Sequence, residues 1–291
     1  MNLRSRLSEN WFFIAPLLVA GLLLLVVQAT QSNESVFLWI NRNSELFGDT
    51  FWASLTILGD GLIACLLVSP FIRRKPQVVW ATILSLIFIL IWVQGFKYFL
   101  AMPRPLGVLP ETAFHIVGGH YKAKAFPSGH AATAFMLAGV FNFYFRLNHL
   151  RVLLLAIASL IAVSRIAVGI HWTNDVLAGI AGGAISAWLG VTLTHRWQLG
   201  FNQNAQKFVG LLLICAAVFA FFGNYTEYTQ ALWLQKTIAL TCFLIIGYAL
   251  FLMFKTGGAV QITSLPVSRV RPERFHRKVS PNRHSLRANQ R

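Results

Sequence analysis

Long apolar runs separated by short polar segments dominate this sequence and restrict the folds open to it. A helix needs about 20 mostly apolar residues to cross the hydrocarbon core of a bilayer. Eight segments are candidates for such helices: residues 11–29, 52–71, 77–99, 129–146, 151–169, 174–194, 208–223 and 233–254. Only 12% of the 291 residues are charged, about half the share in soluble domains. The sequence therefore predicts an all-α protein, a polytopic transmembrane helical bundle of about eight spans.

The charges between these spans predict the orientation of the chain. Basic residues collect in the connections on one side: Arg4, Arg6, Arg73, Arg74, Lys75, Arg146, Arg151, Arg196, Lys207 and Lys255. The connections on the other side hold most of the acids: Glu34, Glu45, Asp49, Glu111 and Glu227. Cytoplasmic loops of membrane proteins are enriched in Lys and Arg. We therefore expect a multi-pass plasma membrane protein, in a bacterial inner membrane, with both termini cytoplasmic and the 100–128 loop outside.

The last part of the sequence has a different composition. Residues 256–291 hold eight Lys and Arg against one acid, and three prolines interrupt any helix. We expect 257–291 to be a disordered cytoplasmic tail that contacts anionic inner-leaflet lipids, at about 1 kcal/mol for each basic residue. The basic residues elsewhere are scattered between apolar spans, so the net charge of +16 does not indicate nucleic-acid binding.

Two segments allow more than one interpretation. Residues 33–51 are not apolar enough to cross a membrane and form either a short helix in the outer interface or a connecting loop. Asp60 lies inside the second span, where an acid is a candidate functional group. The favoured interpretation is that Asp60 pairs with a basic residue of the site or caps a broken helix.

Three basic side chains lie near one predicted membrane face. Lys97 ends the third span, Arg104 follows it, and Arg165 lies near the end of the fifth span. Charges this close to a bilayer are costly unless they have a partner, and too few acids are nearby to pair with all three. Arginine matches phosphate oxygens well. We therefore expect these cations to bind a phosphate.

The starts of the fourth and sixth spans add reactive groups to these cations. Ser128, Gly129 and His130 open one span, and His171 and Asp175 open the other. The N–H groups at a helix start attract an anion, and glycine lets a phosphate approach the backbone. His171 and Asp175 are four residues apart, so on a helix they share a face. The carboxylate can then fix the imidazole tautomer, leaving the other nitrogen as a base or nucleophile, while His130 can donate a proton.

Together these segments resemble the signature of the type-2 phosphatidic acid phosphatase and vanadium haloperoxidase superfamily. That signature reads K-x6-R-P, P-S-G-H and S-R-x5-H-x3-D, and the sequence meets it without a departure. The resemblance implies a six-helix phosphatase core, expected over residues 1–200, with the active site at 97–175. Residues 201–256 would then be two additional transmembrane helices outside the resemblance, followed by the 257–291 tail.

The resemblance also implies a mechanism that needs neither a metal nor a cofactor. His171 would attack phosphorus and form a phosphohistidine, Asp175 would orient it, and His130 would protonate the leaving group. Five residues would hold the phosphate: Lys97, Arg104, Ser128, Gly129 and Arg165. The expected substrate is a lipid phosphate or lipid diphosphate, namely undecaprenyl diphosphate, phosphatidic acid, phosphatidylglycerol phosphate or lipid A. The residues expected to read its head group are Glu111, His115, His120, Lys122 and Lys124.

Other functions remain open at this stage. A lipid phosphotransferase of the same family would begin with the same half-reaction and pass the phosphoryl group to a second lipid. An anion transporter could use the basic cluster, but it would not need His130 or the pair of His171 and Asp175. Haloperoxidase activity is discounted, because the haloperoxidases of the family are soluble and this chain is embedded.

Overall fold

The computed structural model describes residues 3–255, which form helices and no strand. Ten α-helices follow one another along the chain: α1 Leu3–Ala29, α2 Asn33–Ser44, α3 Asp49–Ile57, α4 Gly61–Val68, α5 Pro76–Leu100, α6 Gly129–Phe145, α7 Asn148–Ala167, α8 Thr173–Arg196, α9 Gln203–Phe222 and α10 Leu232–Lys255. The predicted helical bundle is confirmed. The predicted basic tail, 257–291, lies outside the described residues.

Most of these helices can cross a membrane. Within residues 3–255, α1, α5, α7, α8, α9 and α10 are long and apolar enough, and α3 with α4 makes a seventh candidate. Helix α6 has 17 residues, or about 26 Å at 1.5 Å per residue. It starts beside the first turn of α8, where Ser128 N donates to Asp175 O over 2.9 Å, and it ends at the turn into α7. Helix α6 therefore also runs from one end of the bundle to the other.

The second predicted span is broken rather than continuous. Helices α3 and α4 meet at an angle of 66°, and the side chain of Asp60 accepts hydrogen bonds from Leu62 N and Ile63 N at the start of α4. These bonds satisfy N–H groups that the first turn of a helix leaves without partners. The interpretation of Asp60 as the cap of a broken helix is thus confirmed. At Gly59 a Cβ would lie 2.9 Å from His130 O, so the break lets α6 pack closely.

Helix α8 packs against α1, α5 and α6. Its contact with α6 depends on small residues, because a Cβ at Gly179 would lie 2.5 Å from Ser128 O and one at Gly183 would collide with Ala132 O. Glycine is the residue that permits so close a backbone approach. The sequence of α8 therefore brings the start of α6 next to the start of α8.

Residues 33–51 are mostly helical, which decides between the helix and the loop considered for this segment. Helix α2 buries Asn41, whose Nδ2 donates to His115 O and to Ala167 O, each over 2.9 Å. Asn41 Oδ1 in turn accepts from His115 N over 2.8 Å. Helix α2 therefore ties the long loop after α5 to the turn between α7 and α8.

Candidate active site

The start of α6 is a capped helix N-terminus that borders a cavity. Ser128 caps the helix, is fully buried, and accepts a hydrogen bond from Ala131 N. A Cβ on Gly129 would meet only Val93 Cγ1, at 3.7 Å, so the backbone there is open toward a cavity that Gly129 lines. The prediction that Ser128 and Gly129 open a helix is confirmed, and a phosphate could approach the first turn of α6.

Arg104 is fixed by backbone carbonyl groups. Its Nε donates to Ala123 O over 2.9 Å and its Nη1 to Ile170 O over 3.3 Å. The first bond holds the guanidinium to its own loop, and the second holds it to the turn before α8. The side chain is buried, and no carboxylate neutralises it in these contacts. Arg104 is therefore pre-oriented, and its positive charge remains available to a ligand.

Arg165 is buried on the last turn of α7. Its Nη1 donates to Thr56 Oγ1 over 2.6 Å and to Tyr228 OH over 2.8 Å. Its Nε is also buried and has no hydrogen-bond partner among residues 3–255. A buried donor without a partner is costly, and a phosphate oxygen would supply the acceptor.

Lys97 and His130 complete the group of basic side chains. Both line a cavity of about 510 Å³ between α4, α5 and α6. Lys97 interacts electrostatically with Arg104, Arg165 and Asp175, and His130 interacts with Arg165, Lys97 and Arg104. The structure therefore brings the predicted cations and histidines into one site. Within residues 3–255, no group of three or more His, Cys, Asp or Glu is placed to hold a metal ion.

His171 and Asp175 are paired, although not in the way that their spacing indicated. His171 lies in the turn before α8 rather than on the helix. Its Nδ1 is 3.2 Å from Asp175 Oδ2, and the same oxygen accepts from Trp172 N over 2.9 Å. Because Asp175 is on the first turn of α8, its carboxylate points back toward the residues before the helix. His171 Nδ1–H can donate to this carboxylate, which leaves Nε2 without a proton.

The environment of His171 favours its neutral form. Burial lowers the pKa of this imidazole well below its usual value, and the positive charges of Arg104, Arg165 and Lys97 lower it further. A depressed pKa means that the ring loses its proton at a lower pH than an exposed histidine does. A neutral imidazole keeps a nitrogen lone pair that can attack an electrophile.

The depressed pKa of His171 gives a direct prediction for the ligand-free protein. In detergent, the NMR signals of the His171 ring, assigned by their loss in His171→Ala, should keep their neutral positions as the pH falls from 8 through about 6.5, the usual histidine pKa. A midpoint at or above about 6.5 would contradict the stated effect of burial and of the nearby cations.

Three of the residues expected to read the head group form contacts with neighbouring side chains. His115 Nε2 is 2.8 Å from Asp49 Oδ1, and His120 Nε2 is 3.0 Å from Glu111 Oε1. These two histidines and Glu111 therefore already have local partners. Their role in reading a head group stays a prediction, as does that of Lys122 and Lys124.

Sequence reasoning missed three residues that contact the site arginines: Thr56, Tyr121 and Tyr228. Thr56 and Tyr228 accept hydrogen bonds from Arg165, and the Tyr121 ring lies 5.0 Å from the Arg104 guanidinium carbon. One signal was present in the sequence, because Tyr121 and Tyr228 fall in the predicted loops on the same side of the membrane as the site. Thr56 lies inside an apolar span and carried no such signal.

The chain is similar to known proteins both in sequence and in structure. Residues 78–199 match the model of the PAP2 superfamily. A lipid A 1-phosphatase of Rhizobium johnstonii is 29% identical over 176 residues, which cover 54% of this chain and 67% of that protein. A lipid A 1-phosphatase of Porphyromonas gingivalis is 37% identical over 90 residues, but these span only 20% of its length. The crystal structure of Aquifex aeolicus LpxE is similar with a TM-score of 0.50 and 26% identity, over 55% of this chain and 94% of that one.

Proposed function

We propose that this chain, whose residues 78–199 match the PAP2 superfamily model, is a membrane-embedded phosphoric ester hydrolase that removes the 1-phosphate of lipid A. The proposal of phosphate hydrolysis rests on the pair of His171 and Asp175, which faces three buried or half-buried cations. The choice of lipid is supported by the likeness to lipid A 1-phosphatases over 54% of the chain.

The proposed reaction has two steps, and the arrangement of the side chains supports both. His171 Nε2 attacks phosphorus, and the bond from phosphorus to the lipid oxygen breaks. His130, which binds a proton while the phosphate anion is in the site, gives that proton to the departing oxygen. Water then attacks the phosphohistidine, His130 takes a proton from that water, and inorganic phosphate leaves. Arg104, Arg165 and Lys97, with the N–H groups of α6, stabilise the negative charge on the phosphoryl oxygens. The fixed cations and helix dipole perform the task that a metal ion performs in other phosphatases.

A groove beside the site supports a lipid as the substrate. The cavity that contains Lys97 and His130 continues along α5 past Leu90 and Ile87, whose side chains are exposed on the apolar surface of the bundle. If the phosphate of a lipid is bound at Lys97, the acyl chains of that lipid can therefore lie along an apolar wall. This arrangement fits a lipid that enters from the side of the bundle.

The positions of the helix ends support an outer location for the site. The site lies where α5 and α7 end and where α6 and α8 begin. Six further basic residues lie at the other end of these helices: Arg73, Arg74, Lys75, Arg146, Arg151 and Arg196. Because Lys and Arg favour the cytoplasmic side, we propose that the active site is extracytoplasmic and both termini are cytoplasmic.

The substrate proposal is tested with the purified protein in detergent. Release of phosphate from lipid A should continue in EDTA, stop with orthovanadate, and exceed release from phosphatidic acid, phosphatidylglycerol phosphate and undecaprenyl diphosphate. Faster release from another lipid in this panel would reject lipid A. Label appearing in a second lipid, with none in solution, would show phosphotransfer instead of hydrolysis.

A bulky residue in the groove should affect long lipids selectively. We expect Leu90→Trp to raise KM about tenfold for a lipid with full-length chains, because the ring fills the apolar wall that would bury those chains. A short-chain analogue should keep its KM. The matched control is Ile91→Trp, because Ile91 is equally exposed on α5 but does not line the cavity. Equal effects of the two variants would contradict the groove as the chain-binding surface.

A further inference from the structure

The helices α9 and α10 form a hairpin that lies outside the PAP2 match, which ends at residue 199. The hairpin packs against α4, and the loop that joins its two helices, residues 223–231, reaches the active-site end of the bundle. This joining loop contacts the core at three places, and two of them involve the arginines of the site.

The first contact is with Arg165. Tyr228 is buried in the joining loop, its hydroxyl accepts a hydrogen bond from Arg165 Nη1 over 2.8 Å, and its ring centre is 5.9 Å from the guanidinium carbon. The ring also packs on the core, since a Cβ at Gly118 would lie 2.7 Å from it. Thr56 Oγ1 accepts from the same Nη1. The two acceptors fix one edge of the guanidinium and leave Nε without a partner among residues 3–255.

The second contact is with the surroundings of Arg104. Glu227, next to Tyr228, accepts a hydrogen bond from the Tyr121 hydroxyl. The Tyr121 ring lies over the guanidinium of Arg104 at 5.0 Å. The joining loop therefore touches one phosphate-binding arginine directly and the other through an intervening tyrosine.

The third contact anchors the joining loop to the helix break. The Tyr225 hydroxyl donates to Asp60 Oδ1 over 3.0 Å, and this is the oxygen that caps α4. Helix α4 lines the cavity that holds Lys97 and His130. Two contacts therefore hold the joining loop in place. Tyr225 is bonded to Asp60, and the Tyr228 ring packs at Gly118.

We propose that the α9–α10 hairpin is part of the active site and that Tyr228 is a positioning residue, which holds Arg165 so that its Nε faces the phosphate. The proposal rests on the phosphatase function above and deepens it. Tyr228 itself makes no bond to the substrate. It acts by restricting a guanidinium that Thr56 alone would hold by a single hydrogen bond.

The test is a double-mutant cycle between Tyr228→Phe and Arg165→Lys. Tyr228→Phe keeps the ring and removes only the hydroxyl, and it should lower kcat/KM about tenfold and weaken inhibition by orthovanadate by the same factor, as expected for one hydrogen bond to a charged group. In the Arg165→Lys background the same substitution should change kcat/KM less than about twofold, because the lost group acts through Arg165. Tyr248→Phe, an exposed tyrosine on α10 of the same hairpin, should behave like the wild type.

The outcomes separate this inference from the proposed function. Wild-type kcat/KM and vanadate inhibition in Tyr228→Phe would overturn the inference, and so would an equal loss in both backgrounds, which indicates a structural role. Binding of orthovanadate, read as a rise in the unfolding temperature, needs no substrate. If the wild type hydrolyses no lipid while Tyr228→Phe still weakens vanadate binding, the proposed function fails and the positioning role of Tyr228 stands.

Discussion

Replacing His171 with alanine should lower phosphate release by about four orders of magnitude, because the substitution removes the proposed nucleophile. The imidazole is buried, its Nδ1 faces Asp175 at 3.2 Å, and its Nε2 is left for the phosphate. The effect should fall on kcat. Binding of orthovanadate should weaken less, since the cations and the start of α6 remain.

The matched control for this substitution is His149→Ala. His149 is an exposed histidine on the first turn of α7, at the end of the bundle opposite the site. It should keep wild-type activity. If His171→Ala retained more than about a hundredth of the wild-type rate, another residue would have to be the nucleophile.

Replacing Arg165 with alanine should lower kcat/KM by about a hundred- to a thousandfold, the range seen when one pre-oriented donor to a developing negative charge is removed. Arg165 is buried, and two acceptors hold its Nη1. Arg165→Lys should recover little of this loss, because an ammonium keeps the charge but cannot present the flat edge of a guanidinium.

Arg196→Ala is the control for the loss of positive charge. Arg196 is exposed at the end of α8 away from the site, so this variant should release phosphate at the wild-type rate. Phosphate release should be followed together with the stabilisation by orthovanadate, which Arg165→Ala should largely abolish. Strong stabilisation by orthovanadate in Arg165→Ala would contradict a direct role of Arg165 in holding the phosphate.

Much of this site could be predicted because its parts are local in sequence. Ser128 and Gly129 at the edge of an apolar run indicate a helix start, and the short spacing between His171 and Asp175 allows them to pair. The pairing was predicted on a helical face, yet it forms at the start of α8, where the carboxylate also accepts from Trp172 N. The chemistry of the pair followed from the spacing, whereas its backbone setting depends on where the helix begins.

The contacts that could not be predicted join residues far apart in sequence. Thr56 and Arg165 are 109 residues apart, and Arg165 and Tyr228 are 63 apart. Neither hydropathy nor periodicity carries information on which loop of a bundle meets which helix. The break before α4 had a local signal in the two glycines around Asp60, but the apolar run alone favoured a continuous span.

The central claim of the proposed function is that this chain hydrolyses a lipid phosphate through a phosphohistidine at His171 without a metal ion. The direct test is to mix the wild-type protein in EDTA with lipid A labelled at its 1-phosphate, to quench during turnover under alkaline conditions that preserve phosphohistidine, and to locate the phosphoryl group by mass spectrometry. The mechanism predicts modification of His171, lost in His171→Ala. Modification of Ser128, or of no residue during steady turnover, would contradict it.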